Sequence, residues 1–459
     1  MAFVTLGCKV NRTESDTMAG ELLGRAIDVT GEAPRADVVV INTCTVTAEA
    51  DAKARKAVRH ALGMPLAPVV VVTGCLAAID APGLRELGER VVVEADKAAV
   101  AARVARLLGI RGAAVATVDR VARGGPEERM RTASTTRVMI KVEDGCDNAC
   151  AYCIVPRARG VPRAAPAARV IGDVRALVAA GTREIVLTGI NIGRYRDPSA
   201  SGPASASASA SAAGRGEETA FTDLPALLGL LVVTGIPRIR LSSIEPPDVT
   251  PRFLHVFARH QQVMPHLHVP LQSGSDRILS AMGRAYSTAD FARIVTDARA
   301  ALPHLAITTD VIVGFPGETD ADHAASLAFV EACAFAKLHV FRYSRRPGTP
   351  AADMPGQVDP RTKVARAAEM RALGARLAAA WALAHTGQRA HVLVESADLG
   401  ARTAQGTSED YLRVVIKRSN ARRGDVVRVR ISGPAPTAHP WSPASVTAVE
   451  DPSPVVESN

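Results

Sequence analysis

Arg137-Val138-Met139-Ile140-Lys141-Val142, then Cys146-Asp147-Asn148-Ala149-Cys150-Ala151-Tyr152-Cys153, is the stretch on which the reading of this chain turns. Four of the first six residues are apolar and three of those are β-branched, which predicts a strand over 137–142. Three cysteines then fall in one loop, spaced Cys-x3-Cys-x2-Cys. Further strand signals follow at 184–187, 239–241, 266–270, 306–313 and 337–341. Helical periodicity lies between them, at 167–180, 224–233, 251–259, 276–282, 288–301 and 321–333. Repeated βα units of this kind predict a full or partial barrel, whose working face is the C-terminal ends of its strands.

Upstream, short Val/Ile runs at 2–6, 37–42, 69–73 and 91–93 alternate with helical patterns at 15–26, 49–62, 84–88 and 97–108. Continuous apolar runs separated by helices read as buried parallel strands in an open α/β sheet. Cys8, Cys44 and Cys75 each stand just past one of these runs. Equivalent strand ends of a parallel sheet share one edge, with neighbours about 4.8 Å apart. Open sheets bind ligands at that edge. Small residues beside the cysteines (Gly7, Thr43, Gly74) leave room for backbone to approach a bound group. A single such cysteine reads as a small buried hydrophobe, whereas three at the same place in successive units read as a ligand set. Cys333, alone on an apolar helix face, reads as a packed core thiol.

Residues 112–131 lack periodicity and read as a linker, and the Ala/Ser repeat within 198–216 as a surface insertion with no assigned function. After a helix at 360–385, β-type runs at 390–395, 412–416 and 426–431, with turns at 404–409 and 419–424, predict a small all-β barrel and a loose tail after 433. The expected domains are 1–111, 132–383 and 384–447.

Of 459 residues, 47% are hydrophobic and 22% charged, an ordinary globular balance, and with 3% aromatics the core must rest on Ala, Val, Leu and Ile. The net charge of +9 favours an anionic partner, nucleic acid first, against a merely solvated surface. No stretch is apolar enough to span a bilayer, and the start lacks the basic region of a signal peptide. The expectation is a cytoplasmic chain with reduced thiols, so its seven cysteines are candidates for metal binding or catalysis. A P-loop, a Gly-x-Gly-x-x-Gly turn and a Ser–His–Asp order are all absent from the sequence. Arg157, Arg159, Arg163 and Arg169 lie in a segment without acids and suit phosphates. The C-terminal barrel offers Arg413, Lys417, Arg418, Arg422 and Arg423, with Tyr411 for base stacking. His266 and His268 share one side of a strand and, with no carboxylate partner in sight, read as barrel filling.

Three thiolates suit zinc or an iron–sulfur cluster. A structural zinc site is closed by four ligands, whereas three leave one metal position open. With Tyr152 just before the last cysteine, the loop resembles that of the radical S-adenosylmethionine enzymes. The resemblance implies a 4Fe-4S cluster on Cys146, Cys150 and Cys153, its open iron binding S-adenosylmethionine, which is cleaved reductively to a 5′-deoxyadenosyl radical. Thr5-Leu6-Gly7-Cys8-Lys9-Val10-Asn11, Asn42-Thr43-Cys44 and Thr73-Gly74-Cys75 extend the likeness over about residues 1–432 to the methylthiotransferase family. That family implies an α/β architecture: a flavodoxin-like N-terminal domain, a radical S-adenosylmethionine partial barrel and a C-terminal RNA-binding barrel of the TRAM type. It also implies a second 4Fe-4S cluster on Cys8, Cys44 and Cys75, which supplies or carries sulfur.

Val186-Leu187-Thr188-Gly189, Arg240-Leu241-Ser242-Ser243-Ile244-Glu245-Pro246, Pro270-Leu271-Gln272-Ser273-Gly274-Ser275 and Val313-Gly314-Phe315-Pro316-Gly317-Glu318 resemble members acting on tRNA N6-threonylcarbamoyladenosine. The isopentenyladenosine branch usually has Gln-Met where Lys9-Val10 stand. The implied reaction is methylthiolation of C2 of that adenosine at position 37, with a flavodoxin- or ferredoxin-like electron donor. Its unactivated C–H bond needs a cofactor radical; one S-adenosylmethionine would methylate the sulfur and a second would give the radical. Tyr152, Gly189, Asn191, Ser243, Glu245, Gln272, Ser273 and Gly314 would face the cofactor, where hydroxyl, amide and carboxylate groups can bond ribose and the methionyl ammonium. Gly317-Glu318 reads as a helix start. The segment 156–164 lacks the family's usual Arg-Ser ending, and the Ala/Ser tract is extra. The alternatives are the same chemistry on isopentenyladenosine tRNA or on a ribosomal-protein aspartate, and, from another class, a zinc-holding RNA-binding module.

Overall fold

The computed structural model describes residues 1–25, 27–30, 33–109, 136–198, 221–435 and 444–451. The expected linker and the Ala/Ser insertion beyond Pro198 lie outside the described residues.

Strands β1 (Ala2–Thr5), β2 (Val38–Thr43), β3 (Val69–Gly74) and β4 (Val91–Val93) form a parallel sheet in that order. Strand period two sends Val39 and Ile41 against Ala54 and Val58 of helix Ala48–Leu62. Val38 and Val40 go to the opposite face, against Met18 and Leu22 of helix Lys9–Leu23 and Val100 and Val104 of helix Val100–Leu107. With both faces covered, the strands need no polar positions. Helix Lys9–Leu23 begins well before the expected residue 15, because its buried face carries the polar Asn11, Thr13, Glu14 and Ser15 and hides the apolar period.

Six parallel strands follow: β5 (Val138–Lys141), β6 (Glu184–Thr188), β7 (Arg238–Leu241), β8 (His266–His268), β9 (Ala306–Val313) and β10 (Lys337–Arg342). β5 to β7 and β8 to β10 pair in sequence order, and the bridges Ile239–Val263 and Ser243–His268 join the two runs. Val138, Ile140, Ile185, Leu187 and Ile239 form part of the core under the helices. The alternate positions, among them Glu184, Arg240, His266, His268 and Asp310, therefore face the lumen. Among the described residues no strand pairing joins β5 to β10, so the barrel is partial. The N-terminal domain bridges the gap. Lys141 of β5 reaches Glu14 at 3.0 Å, and Arg346, past β10, reaches Asp51 at 2.6 Å and Thr45 at 2.7 Å.

β11 (Arg389–Asp398), β12 (Thr403–Thr407), β13 (Arg413–Lys417), β14 (Val426–Pro434) and β15 (Ser445–Glu450) close a small barrel in the order β11-β12-β13-β15-β14. Two of these strands correct the sequence reading. Residues 403–407 were expected mostly as turn, but Thr-Ala-Gln-Gly-Thr pairs on both sides despite low β propensity. Part of the tail, expected loose, supplies β15, whose Val446 and Ala448 enter the barrel core. This barrel plugs the N-terminal end of the lumen. Arg240 donates to the carbonyls of Ser408 (2.5 Å) and Glu409 (2.8 Å), Arg238 to that of His391 (2.9 Å), and Arg137 pairs with Glu395. Both Arg238 and Arg240 also bond the fully buried Glu184, at 2.7 and 2.8 Å.

Candidate functional site

Cys44 and Cys75 follow β2 and β3 directly and are buried; Cys8, three residues past β1, is exposed. Gly74 (φ +93°) takes a left-handed turn in which a Cβ would lie 2.4 Å from the Thr43 carbonyl. Gly7 (φ +102°) leaves no more room, since its Cβ would meet that of Cys44 at 2.5 Å. Only glycine fits either turn. Asn11 staples two of the turns, its amide donating to the carbonyls of Leu6 (2.8 Å) and Thr43 (2.9 Å). Burial pushes the Cys44 and Cys75 thiols up; backbone N–H groups oppose this at Cys44, and Arg159 and Lys97 oppose it at Cys75.

The second cysteine loop leaves β5 through a hairpin in which Glu143–Asp144 pairs with Arg163–Ala164. Its backbone is tied by Cys146 N–H to the Gly160 carbonyl (3.0 Å) and Ala151 N–H to that of Met282 (2.9 Å). Cys146 Sγ accepts from the Asn148 N–H at 3.4 Å, and Cys150 Sγ from Arg284 at 3.1 Å. Arg284 also pairs with Glu245. Burial pushes the Cys153 thiol up to about 12, so its thiolate needs a cationic partner or a metal.

The two cysteine sets meet across helix Val155–Arg159, which begins two residues after Cys153 and packs on helix Cys75–Ile79. Arg159 ends it. Its guanidinium donates to Glu14 (2.9 Å), Asp144 (2.9 Å) and Asn11 (2.7 Å), and its charge favours the Cys75 thiolate. Burial alone would raise the Glu14 carboxyl, but Lys141, Arg159 and Lys97 outweigh it and hold the group at about 2. Arg159 is therefore no phosphate ligand. Its side chain is 2% exposed and filled with protein acceptors, which corrects the expectation from the arginine run. Arg157 and Arg163 of the same run are exposed, as are Arg413, Lys417, Arg418, Arg422 and Arg423 on the C-terminal barrel.

Several strand-end residues form a polar cradle beside the second loop. A Cβ on Gly189 would lie 2.8 Å from Glu143, whose carboxylate accepts from the N–H groups of Ile190 (2.9 Å) and Asn191 (2.7 Å). Burial pushes the Glu143 carboxyl up to about 7, and its second oxygen is unpartnered among the described residues. Both amide atoms of Asn191, Thr188 Oγ1 and Ser242 Oγ are buried and equally unpartnered. Such orphans are rare and mark where a polar ligand belongs. A cofactor with ribose hydroxyls and an amino-acid end fits them. Ser243 is half-buried beside this cradle, Tyr152 sits in the cysteine loop, and Glu245 is engaged by Arg284. Gln272 is buried with a left-handed backbone (φ +69°), and Ser273 bonds Ser326 at 3.3 Å. Gly314 donates to Glu318 at 2.6 Å, and Glu318 pairs with Arg366 of the helix Pro360–Ala384, so Glu318 is more than a helix start.

Asp310 overturns the expectation for His268. His268 Nε2 and His339 Nδ1 both lie 3.2 Å from its Oδ1, and the pair holds that carboxyl below the usual range against its burial. The carboxylate was invisible in sequence because β9 brings it from 42 residues away. His266 does fill the lumen, 3.1 Å from Thr308 Oγ1. Tyr411, expected as an RNA-stacking ring, stacks instead on His266 at 4.4 Å inside the lumen. Arg284, Glu143, Asn11, Glu14 and Ser242 escaped the sequence reading as functional candidates; only proximity in the fold reveals them.

The sulfurs also bear on the metal. Among the described residues, neither cysteine set brings three sulfurs within 4.8 Å of one another. A tetrahedral zinc with Zn–S near 2.3 Å would require sulfurs about 3.8 Å apart.

Residues 1–94 match the family described as "Uncharacterized protein family UPF0004", and residues 140–330 the radical SAM superfamily. The threonylcarbamoyladenosine tRNA methylthiotransferase MtaB of Bacillus subtilis is 34% identical over 441 residues, covering 94% of this chain and 93% of its own. The protein of that name from Thermotoga maritima is 36% identical over 363 residues, 77% of each. The tRNA-2-methylthio-N(6)-dimethylallyladenosine synthase of Cereibacter sphaeroides is 34% identical over 453 residues, 95% of this chain and 96% of its own. In fold, the chain is similar to the radical S-adenosylmethionine methyltransferase TsrM of Kitasatospora setae (TM-score 0.52, 16% identity, 76% and 74% covered). With relatives of this identity and length, and two cysteine sets opposed across one short helix, the chain belongs to the radical S-adenosylmethionine methylthiotransferases, enzymes that use S-adenosylmethionine and two 4Fe-4S clusters.

Proposed function

We propose that this enzyme methylthiolates C2 of N6-threonylcarbamoyladenosine beside the anticodon of tRNA, in the cytoplasm, taking electrons from a flavodoxin- or ferredoxin-like protein. The observation that carries the reading is the approach of the two cysteine sets through the packed helices Val155–Arg159 and Cys75–Ile79, as a reaction that uses both clusters on one base requires. Cys146, Cys150 and Cys153 would hold the cluster that cleaves S-adenosylmethionine, and Cys8, Cys44 and Cys75 the one that carries sulfur. When bound, the first cluster and S-adenosylmethionine supply the radical that a C2–H bond requires.

The protein's part is positioning. Asn191, Thr188 and Ser242 would bond the cofactor's polar groups, with Gly189, Ser243, Glu245, Gln272, Ser273 and Gly314 shaping the pocket around it. Arg284, buried against Cys150, would offset the negative charge of its thiolate. The N-terminal domain covers the open side of the barrel and keeps water from the radical. Arg157, Arg163, Arg413, Lys417, Arg418, Arg422 and Arg423 would hold tRNA phosphates. Comparison of tRNA nucleosides from a strain lacking the gene with its parent tests the reading. Loss of 2-methylthio-N6-threonylcarbamoyladenosine is expected; an unchanged profile of 2-methylthio nucleosides contradicts it.

A further inference from the structure

A cavity of about 240 Å³ lies between the lumen and the C-terminal barrel, and Lys9, Arg137, Arg240, Arg423, His266 and Tyr411 line it. It falls below the roughly 300 Å³ at which drug-sized pockets begin, so it suits a substituent rather than a whole nucleoside. Its charge is lopsided, with four cations in the lining against one acid, Glu395. The arginines are occupied: Arg240 by Glu184 and two carbonyls, Arg137 by Glu395 and Arg423 by Thr136. The Lys9 ammonium has no hydrogen-bond or ion-pair partner among the described residues.

Two further features are unusual. Lys9 is the first residue of helix Lys9–Leu23, the positive end of the helix dipole, where a cation is unfavourable. Tyr411, which walls the cavity, has a left-handed backbone (φ +71°) that few non-glycine residues adopt. Lys9 also follows Cys8 directly, so the cavity's unpaired cation is next in sequence to a cysteine of the dispersed set.

We infer that this cavity receives the N6 substituent of the target adenosine and that Lys9 pairs with its carboxylate. The inference rests on the proposed substrate and adds the residue that selects it. A threonylcarbamoyl group ends in a carboxylate and a hydroxyl; an isopentenyl group has neither and offers the exposed Lys9 no counter-charge.

The test uses the full-length reconstituted enzyme and two anticodon stem-loop RNAs, one carrying N6-threonylcarbamoyladenosine and one its methyl ester, which lacks the charge. K9Q is expected to lower kcat/KM on the acid at least about tenfold, chiefly through KM, the scale of a lost charge-assisted hydrogen bond. It should leave turnover of the ester near the wild-type value, and K9R should recover much of the loss. An equal fall on both RNAs makes Lys9 a phosphate contact and overturns the inference. So does unchanged kcat/KM, or iron content falling in step with activity. A wild-type enzyme inactive on the acid refutes the proposed substrate and this inference together; a fully active wild type with an indifferent K9Q refutes the inference alone.

Discussion

The two cysteine sets solve one problem in opposite ways. Cys146, Cys150 and Cys153 come from a single loop, held by local bonds such as Cys153 N–H to the Cys150 carbonyl. Cys8, Cys44 and Cys75 come from three strand ends, and their convergence depends on the whole sheet. The local set has Arg284 against one sulfur; the dispersed set has Arg159, which belongs to the other domain. The first site is therefore a loop that its own barrel supports. The second is complete only when the two domains dock.

The largest effect should come from breaking the local set. C146A, C150A or C153A should reduce 5′-deoxyadenosine formation on reduction to background, measured by chromatography; retained cleavage would remove the open-iron role from this loop. C8A/C44A/C75A should instead keep cleavage and lose all methylthio product, with iron falling from about eight to about four per chain as one of two clusters is lost. Zinc in place of iron after anaerobic reconstitution would contradict both.

Next in size is the joint between the sets. R159L leaves the buried Glu14 and the half-buried Asp144 without their arginine and should destabilise the chain by about 3–5 kcal/mol in denaturant titration. It should impair methylthio transfer more than cofactor cleavage, because it uncouples the domain holding Cys75. Equal loss of both activities would mean that Arg159 only supports the fold.

The smallest effect is the pH dependence of that joint. The folded Glu14 carboxyl sits at about 2, below the ordinary 4.5. The depressed value stabilises the fold above pH 4.5, by about 3 kcal/mol, and that stability is lost as pH falls towards 2. Denaturation midpoints of wild type and E14Q should therefore differ near neutrality and converge in acid; a constant gap would contradict the ion network.

Legibility followed the same division. The local triad was readable because its spacing is a property of sequence alone. The dispersed triad was readable because βα units repeat and place each cysteine equivalently. What joins the sets was not. Arg159 looked like part of a basic loop until its partners on helix Lys9–Leu23 came into view, and Asp310 reaches His268 only through strand register. The C-terminal barrel was half legible. β12 and β15 lack the dense Val/Ile runs of their neighbours, and ladder partners on both sides impose their strand conformation.

The measurement that bears most directly on the whole account is nucleoside mass spectrometry of an N6-threonylcarbamoyladenosine stem-loop after incubation with the reconstituted chain, S-adenosylmethionine and a reductant. The wild type should give the 2-methylthio derivative of that nucleoside, and C8A/C44A/C75A none. Accumulation of 5′-deoxyadenosine by the wild type, with the modified nucleoside unchanged, would contradict it.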